Sequence, residues 1–430
     1  MGTETWTARA GAAPAATQSP FSRLLPPVAK RSLAEHLGWY GALPSTNASL
    51  IGEVERAGLR GKGGARFPTA TKLAAVAARR RAVVVANGNE GEPASTKDLV
   101  LMSQAPHLVL DGAVVAAEMV GATEVILCLK RGSVVQPLFE RALAERDANG
   151  IDTVPIRVVG GPDRYVSGEE TALVHWLNGG DAKPTFVPPR PFERGVGGRP
   201  TLVQNVETLA DLGLISRFGA AWYRSAGTAA DPGTTLVSIS GAVDKPGVCE
   251  VPFGVRIADL LRVAGADCTA LGGVLVGGYF GAWMSGAAAA DVRVGVDDLK
   301  RAGGGLGAGV VIAMPASGTC ALQELARTTR WLADQNAGQC GPCVNGLDAI
   351  ATAMADLVAG NRDRGAERHL TRWLAMMEGR GACKHPDGVT RFVSSGLRVF
   401  SEEIVRHRRH GPCPPGREQI LPTPATGGWR

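Results

Sequence analysis

The spacing of three cysteines is the first chemical signal in the sequence. Gly338-Gln-Cys340-Gly-Pro-Cys343 sets two thiols with two residues between them, and Cys383 follows further on. Thiolates at this spacing bind a single metal ion or one corner each of a cubane cluster. A redox dithiol uses the same pattern, and so does zinc given a fourth ligand. Cys128, Cys249, Cys268 and Cys320 fall in or near predicted core strands and read as plain buried hydrophobes. Cys413 lies in a Pro-rich stretch and reads as a free thiol. No secretory signal precedes these eight cysteines, so thiols, a metal or a cluster are expected rather than a disulfide framework.

Four further segments carry polar or side-chain-free chemistry. In Gly58-Leu-Arg-Gly-Lys-Gly-Gly-Ala-Arg-Phe-Pro-Thr69, Gly61, Gly63 and Gly64 bare the backbone where a planar ring or a phosphate must touch it. Lys62, Arg66 and Lys72 add positive charge, and Phe67 offers a stacking face. The segment is not a Walker loop, because Gly-Lys-Ser/Thr is absent. A Gly-rich turn with solvated cations explains it equally well. Asn87-Gly-Asn-Glu-Gly-Glu-Pro93 crowds amides and carboxylates that hydrogen-bond hydroxyls and a ring edge, though Asn and Gly also build ordinary turns. In Tyr165-Val-Ser-Gly-Glu-Glu-Thr-Ala-Leu173, Ser167 and Glu170 predict a capping box, and the helix start supports an anion. Gln204-Asn-Val-Glu-Thr208 offers amides and a hydroxyl, with a helix cap at Asn205 as the plain alternative.

These residues need a scaffold, and the chain supplies one. Arg81–Ala86 is a short apolar run, predicted as a buried parallel strand. Pro106 to Gly121 reads as a helix with Pro at its start and Gly past its end. Strands at 124–129 and 154–159 with a helix at 134–148 complete a βαβαβ order, hence an α/β, Rossmann-like sheet. Ligands of such sheets sit outside the carboxyl ends of the strands, where the loop at 87–98 falls. From about Thr234 a hairpin, a short helix at 257–263 and a strand at 273–276 predict a small β-grasp unit. Four helical stretches between about Thr319 and His410 predict a helical bundle. The expected division is a leader at 1–47, then units at 48–230, 231–318 and 319–410, and a tail at 411–430.

Composition narrows the function classes. With 430 residues, 45% hydrophobic and 20% charged, the chain has apolar mass for several cores. The formal charge of +6 does not point to nucleic acid, since the bases are scattered among 40 acidic residues. Only Arg406-His-Arg-Arg-His410 clusters, and it reads as a solvated tail. The positive balance suits docking of an acidic electron carrier. No apolar run reaches the roughly 18 residues of a membrane span, so a cytoplasmic location is expected.

Taken together and in this order, the five segments resemble the flavin-bearing "51 kDa" NADH dehydrogenase subunit of respiratory complex I and the related diaphorase subunits, over about residues 48–405. The resemblance implies a flavin domain, a soluble-ligand-binding β-grasp domain and a helical cluster domain. It implies that Gly61, Lys62, Gly63, Gly64, Asn87, Asn89, Glu90, Gly168, Glu169, Asn205 and Thr208 hold FMN. It implies that Phe67, Lys72, Glu92, Tyr165 and Glu170 contact NADH, and that acidic Glu92 or Glu170 disfavours NADPH. Hydride would pass from NADH to FMN, then single electrons through an iron–sulfur cluster on Cys340, Cys343 and Cys383. The acceptor would be an iron–sulfur carrier, ferredoxin-like or a complex I-type subunit, in an assembly peripheral to a membrane.

Departures from the family pattern are specific. Asn89 stands where the family has an acid, Gln204-Asn205 replaces a pair of Asn, and Ala75 lies where a second aromatic is usual. Ala337 stands where the first cluster Cys belongs. Three outcomes follow for the cluster: a [4Fe–4S] centre with another ligand such as His385, Asp334 or an outside thiol; a three-iron cluster; or none. Without a cluster the chain is a diaphorase reducing quinone-like acceptors, and without flavin it is a scaffold.

Overall fold

The computed structural model describes residues 22–360, 365–414 and 419–430. Residues 1–21 of the expected leader and 415–418 of the expected tail lie outside them. Strands β1 (Ala82–Gly88), β2 (Ala122–Lys130), β3 (Ile156–Gly161) and β4 (Thr201–Asn205) form one all-parallel sheet in the order β3-β2-β1-β4. The apolar run of β1 is buried on both faces, as a central parallel strand requires. Val84 and Ala86 pack with Leu209 and Leu212 on one face; Val83 and Val85 pack with Leu173 and Val196 on the other.

The chain runs from β1 outward to β3 and returns to β4 on the other side of β1. The strand order therefore reverses between β1 and β4. Asn87 and Asn205 pair in register at the carboxyl ends of those two strands. A crevice opens at such a reversal, which is where parallel sheets place ligands. The sequence pattern does not predict β4. It is only five residues long and leads straight into the helix Val206–Arg224.

A second, mixed sheet contains β5 (Thr234–Gly241), β6 (Gly247–Pro252), β7 (Leu271–Val276), β8 (Ala282–Met284) and β9 (Val310–Pro315) in the order β6-β5-β9-β7-β8. β5 pairs parallel with β9, and the other pairings are antiparallel. The central strand β9 also escapes the sequence pattern, being a short apolar run behind a Gly-rich stretch.

The final unit has five described α-helices, not four: Ala321–Asp334, Leu347–Val358, Gly365–Met377, His385–Val399 and Ser401–His410, with a π-helical turn at Pro342–Gly346 ahead of the second. The last expected stretch breaks at Phe400, whose ring turns inward against Trp283 at 5.1 Å. The Arg406–His410 segment is the end of a helix rather than a tail; Arg406, Arg409 and His410 are solvated as expected, but His407 is fully buried. Beyond it, Leu421 is buried, and its N–H and that of Ile420 donate to Glu324 at 2.8 and 2.9 Å. Among the described residues no single helix is long and apolar enough to cross a membrane; the bent pair Lys97–Gln104 and Pro106–Val120 turns through 98° and is largely core.

Candidate functional site

Local sequence dictates the turn at 61–64. Gly61 N donates to Phe67 O at 2.9 Å and Thr69 N to Leu59 O at 3.0 Å, pinching the segment into a loop. Gly64 takes a φ of +112°, open to glycine and costly for a side chain. Gly63 lies against Asn205, where an added Cβ would stand 3.4 Å from the Asn205 Cβ. Lys62 N donates to Thr208 Oγ1 at 2.8 Å, which ties the turn to the helix after β4.

Only the backbone of Lys62 faces this crevice. Its ammonium points inward, donates to Thr234 O at 2.6 Å and sits 3.6 Å from Asp211 and 3.9 Å from Glu207. Burial pushes its pKa down despite these acids. The sequence shows the charge but not its direction. Beneath the turn lies a buried charge network that sequence reasoning does not find. Lys97 Nζ reaches Asp98 at 2.6 Å and Glu207 at 2.8 Å. Burial opposes its charge, but Asp98 and Glu207 outweigh that and hold the ammonium above the usual lysine range. Asp98 Oδ2 accepts from Asn205 Nδ2 at 2.6 Å, so the network holds the Asn205 carboxamide in place. The one hint is the adjacent Lys97 and Asp98 at the end of the polar loop.

The loop after β1 folds onto the segment at 162–170. Asn87 Nδ2 donates to Gly168 O at 2.8 Å. Asn89 Nδ2 donates to Ser167 Oγ at 3.1 Å and Pro162 O at 3.3 Å. The Pro162 carbonyl can only accept, so it fixes the orientation of the amide. Asn89 Oδ1 is then left buried without a partner. Gly168 is glycine because a Cβ there would stand 2.4 Å from Asn89 O. The expected capping box at Ser167 and Glu170 does not form. The single Ser167 O–H has Pro162 O at 2.8 Å and Arg164 O at 2.7 Å as acceptors, and Glu169 caps the helix Glu170–Leu177 through Thr171 N and Ala172 N.

The carboxylates divide by environment. Glu90 turns away from the crevice to Ser95 Oγ and the N–H groups of Asp98 and Leu99; burial, then Asp98, raises it to about 7. Glu92 accepts from Tyr165 OH at 2.9 Å and Tyr279 N at 2.8 Å, and burial raises it to about 7. Glu170 pairs with Lys72 at 3.1 Å, and Lys72 also donates to Val203 O of β4 at 2.7 Å. Phe67 is 53% exposed and presents a free ring face.

The cysteine trio lies behind the same segment. Arg164 Nη2 donates to Asp334 O at 2.9 Å, and the Tyr165 ring meets His385 edge-on at 5.8 Å. Burial pushes the Cys343 thiol up to about 12, and Cys340 and Cys383 beside it add to the shift. The backbone N–H of the buried Ala337 faces the Cys343 sulfur. Burial and then the Glu169 carboxylate raise Cys383, so the 165–170 segment adjoins the thiols on one side and Asn87 and Asn89 on the other. Asp334 is turned to Arg330 at 3.0 Å. His385 Nε2 is bonded to Leu332 O at 2.9 Å, while its Nδ1 is buried without a partner.

These residues fit a flavin at the reversal of strand order: a bare backbone turn, two carboxamides held by neighbours and one orphaned buried acceptor at Asn89 Oδ1. Three thiols that act on one another are soft ligands of the kind an iron–sulfur cluster takes.

Comparison with known proteins agrees. Residues 54–213 match the family described as the Nuo51 FMN-binding domain, and residues 323–407 match the NADH-ubiquinone oxidoreductase-F iron–sulfur binding region. The chain is 32% identical over 405 residues to the second F-type subunit of the NADH-quinone oxidoreductase of Rhizobium meliloti, covering 89% of this chain and 93% of that one. It is 31% identical over 381 residues to the F-type subunit of the Escherichia coli NADH-quinone oxidoreductase, covering 83% of each. A NAD+-reducing [NiFe]-hydrogenase in the H2-reduced state superposes with a TM-score of 0.78 at 28% identity, over 91% of this chain and 67% of that one. The chain belongs to the family of NADH-quinone oxidoreductase F-type subunits.

Proposed function

We propose that this chain is an NADH dehydrogenase module that oxidises NADH and delivers single electrons to an iron–sulfur protein. One observation carries the reading: the segment 164–170 touches the crevice at Asn87 and Asn89 on one side and the cysteine unit on the other. Bound FMN would supply a two-electron acceptor that releases electrons singly, and the cluster a one-electron acceptor.

The chain's own residues then divide the work. The backbone of Gly61, Lys62, Gly63 and Gly64 and the carboxamides of Asn87, Asn89 and Asn205 hold the flavin. Gly168, Glu169 and Thr208 shape its pocket, and Glu90 fixes the loop that carries Asn89. Phe67 stacks on NADH, with Tyr165 as an aromatic wall. Lys72 and Glu170 orient the dinucleotide, and Glu92 or Glu170 weighs against the added phosphate of NADPH. Holding donor and acceptor in one orientation is the chain's main contribution to rate. Cys340, Cys343 and Cys383 would hold the cluster, and Ala337 offers it no ligand. The units are 48–230, 231–318 and 319–410. The carrier partner is a ferredoxin-like or complex I-type subunit, in an assembly on the cytoplasmic side of a membrane.

Visible and electron paramagnetic resonance spectra of an anaerobic preparation, taken before and after NADH, test this reading. Flavin bleaching followed by a reduced-cluster signal is expected. Bleaching with no paramagnetic centre and no iron removes the electron-transfer half of the proposal.

A further inference from the structure

A second group of soft ligands lies at the opposite end of the helix Ala321–Asp334 from the cysteine trio. Cys320 is the N-cap of that helix, whereas Ala337 and Cys340 follow its C-terminus. Fourteen residues of helix separate the two by roughly 20 Å. The Cys320 sulfur lies 3.2 Å from His407 Nε2, and the Cys413 sulfur lies 3.2 Å from the same nitrogen. All three ligand atoms are within 4.8 Å of one another. Cys320 and His407 are buried and Cys413 is half-buried.

The imidazole is set up as a ligand. His407 Nδ1 lies 2.8 Å from Val358 O, a carbonyl that can only accept. The ring proton therefore sits on Nδ1, and the Nε2 lone pair faces the two sulfurs. A backbone carbonyl on the remote nitrogen is the usual partner of a metal-bound histidine. Two sulfurs and, at 3.4 Å, the Cys413 N–H converge on that one lone pair, while the Cys320 thiol has a second acceptor in Glu403 Oε2. The surroundings are also fixed. Glu403 Oε2 is 3.3 Å from the Cys320 sulfur and accepts from Leu322 N at 3.1 Å. Gln323 Nε2 donates to Cys413 O at 2.7 Å.

We propose that Cys320, His407 and Cys413 bind a zinc ion, with Glu403 in the fourth position. Tetrahedral zinc with ordinary bond lengths separates sulfur and nitrogen by about 3.6 Å, so the sulfur–nitrogen gaps of 3.2 Å need to open by only a few tenths of an ångström, whereas Glu403, which lies outside the three-ligand group, has to turn in from beside Cys320. Binding releases the two thiol protons to solvent. Thiolate and imidazole select zinc over magnesium or calcium. The ion has no redox role. It pins the chain where it leaves the last helix, ahead of the segment that seats Leu421 beside Glu324.

The test is metal analysis of the full chain purified without chelator from zinc-supplemented cells. About one zinc per chain beyond the iron is expected, falling several-fold in Cys413→Ser and in His407→Gln. Both variants should keep NADH-driven flavin bleaching. Zinc-edge X-ray absorption of the unmutated protein supplies a readout that needs no variant, with two sulfurs and at least one imidazole expected. Absence of zinc, zinc fully retained in both variants, or a shell of three or four sulfurs each overturns the assignment.

Discussion

The Tyr165 hydroxyl donates to Glu92 Oε2 at 2.9 Å, joining the loop after β1 to the segment after β3 across the mouth of the crevice. Tyr279 N donates to the same oxygen at 2.8 Å, so the second sheet is tied in as well. Glu92 is held at about 7 by burial, against an ordinary value of 4.5. Between these values the folded chain binds a proton that the unfolded chain has released. Stability therefore falls as pH rises from about 4.5 to about 7, then levels off. Glu92→Gln should remove this part of the slope, worth at most about 3 kcal/mol. Thermal unfolding of the holoprotein across that range measures it, and an unchanged slope contradicts the assignment.

Glu170 and Lys72 form an ion pair at 3.1 Å beside the exposed Phe67. For Glu170→Ala, KM for NADH should rise about tenfold, a cost of about 1.4 kcal/mol, with flavin content unchanged. The preference for NADH over NADPH should narrow in the same variant. Steady-state kinetics with both nucleotides check this, and equal losses for the two count against a role in discrimination.

The backbone N–H of Ala337 lies against the Cys343 sulfur, at the position where the resemblance implies a cysteine. Ala337→Cys should raise the iron content per chain and give a four-iron paramagnetic signal on reduction. Cys343→Ser should abolish the cluster signal while flavin bleaching by NADH persists. Iron and sulfide assays beside the spectra decide between these outcomes and a chain whose thiols hold no iron.

Lys97 is shared between Asp98 at 2.6 Å and Glu207 at 2.8 Å beneath the turn. Lys97→Met leaves the buried Asp98 without a cation and Glu207 with only Lys62 at 3.9 Å, and should cost roughly 3–5 kcal/mol. Denaturant unfolding reads the loss directly. Flavin retention should fall with it, because Asp98 holds the Asn205 carboxamide.

Sequence patterns locate the crevice well and its side chains less well. Gly64, Asn87 and Asn205 are legible because a bare turn and strand-end amides are local features. The direction of the Lys62 side chain is not, since the carbonyl its ammonium meets, Thr234 O, lies 172 residues away. Cys320 reads as a hydrophobe and Cys413 as a free thiol for the same reason: His407, which brings them together, is 87 residues from Cys320. The capping role passes from Ser167 to Glu169 because Asn89 claims the Ser167 hydroxyl, a contact across 78 residues. Local spacing predicts turns and helices, but long-range packing decides which polar group a side chain meets.

Flavin stoichiometry is the most direct test of the central claim. The purified chain, reconstituted anaerobically with FMN and desalted, should retain about one FMN per chain and bleach on addition of one equivalent of NADH. A chain that stays colourless after loading, or a bound flavin that NADH leaves oxidised, contradicts the account.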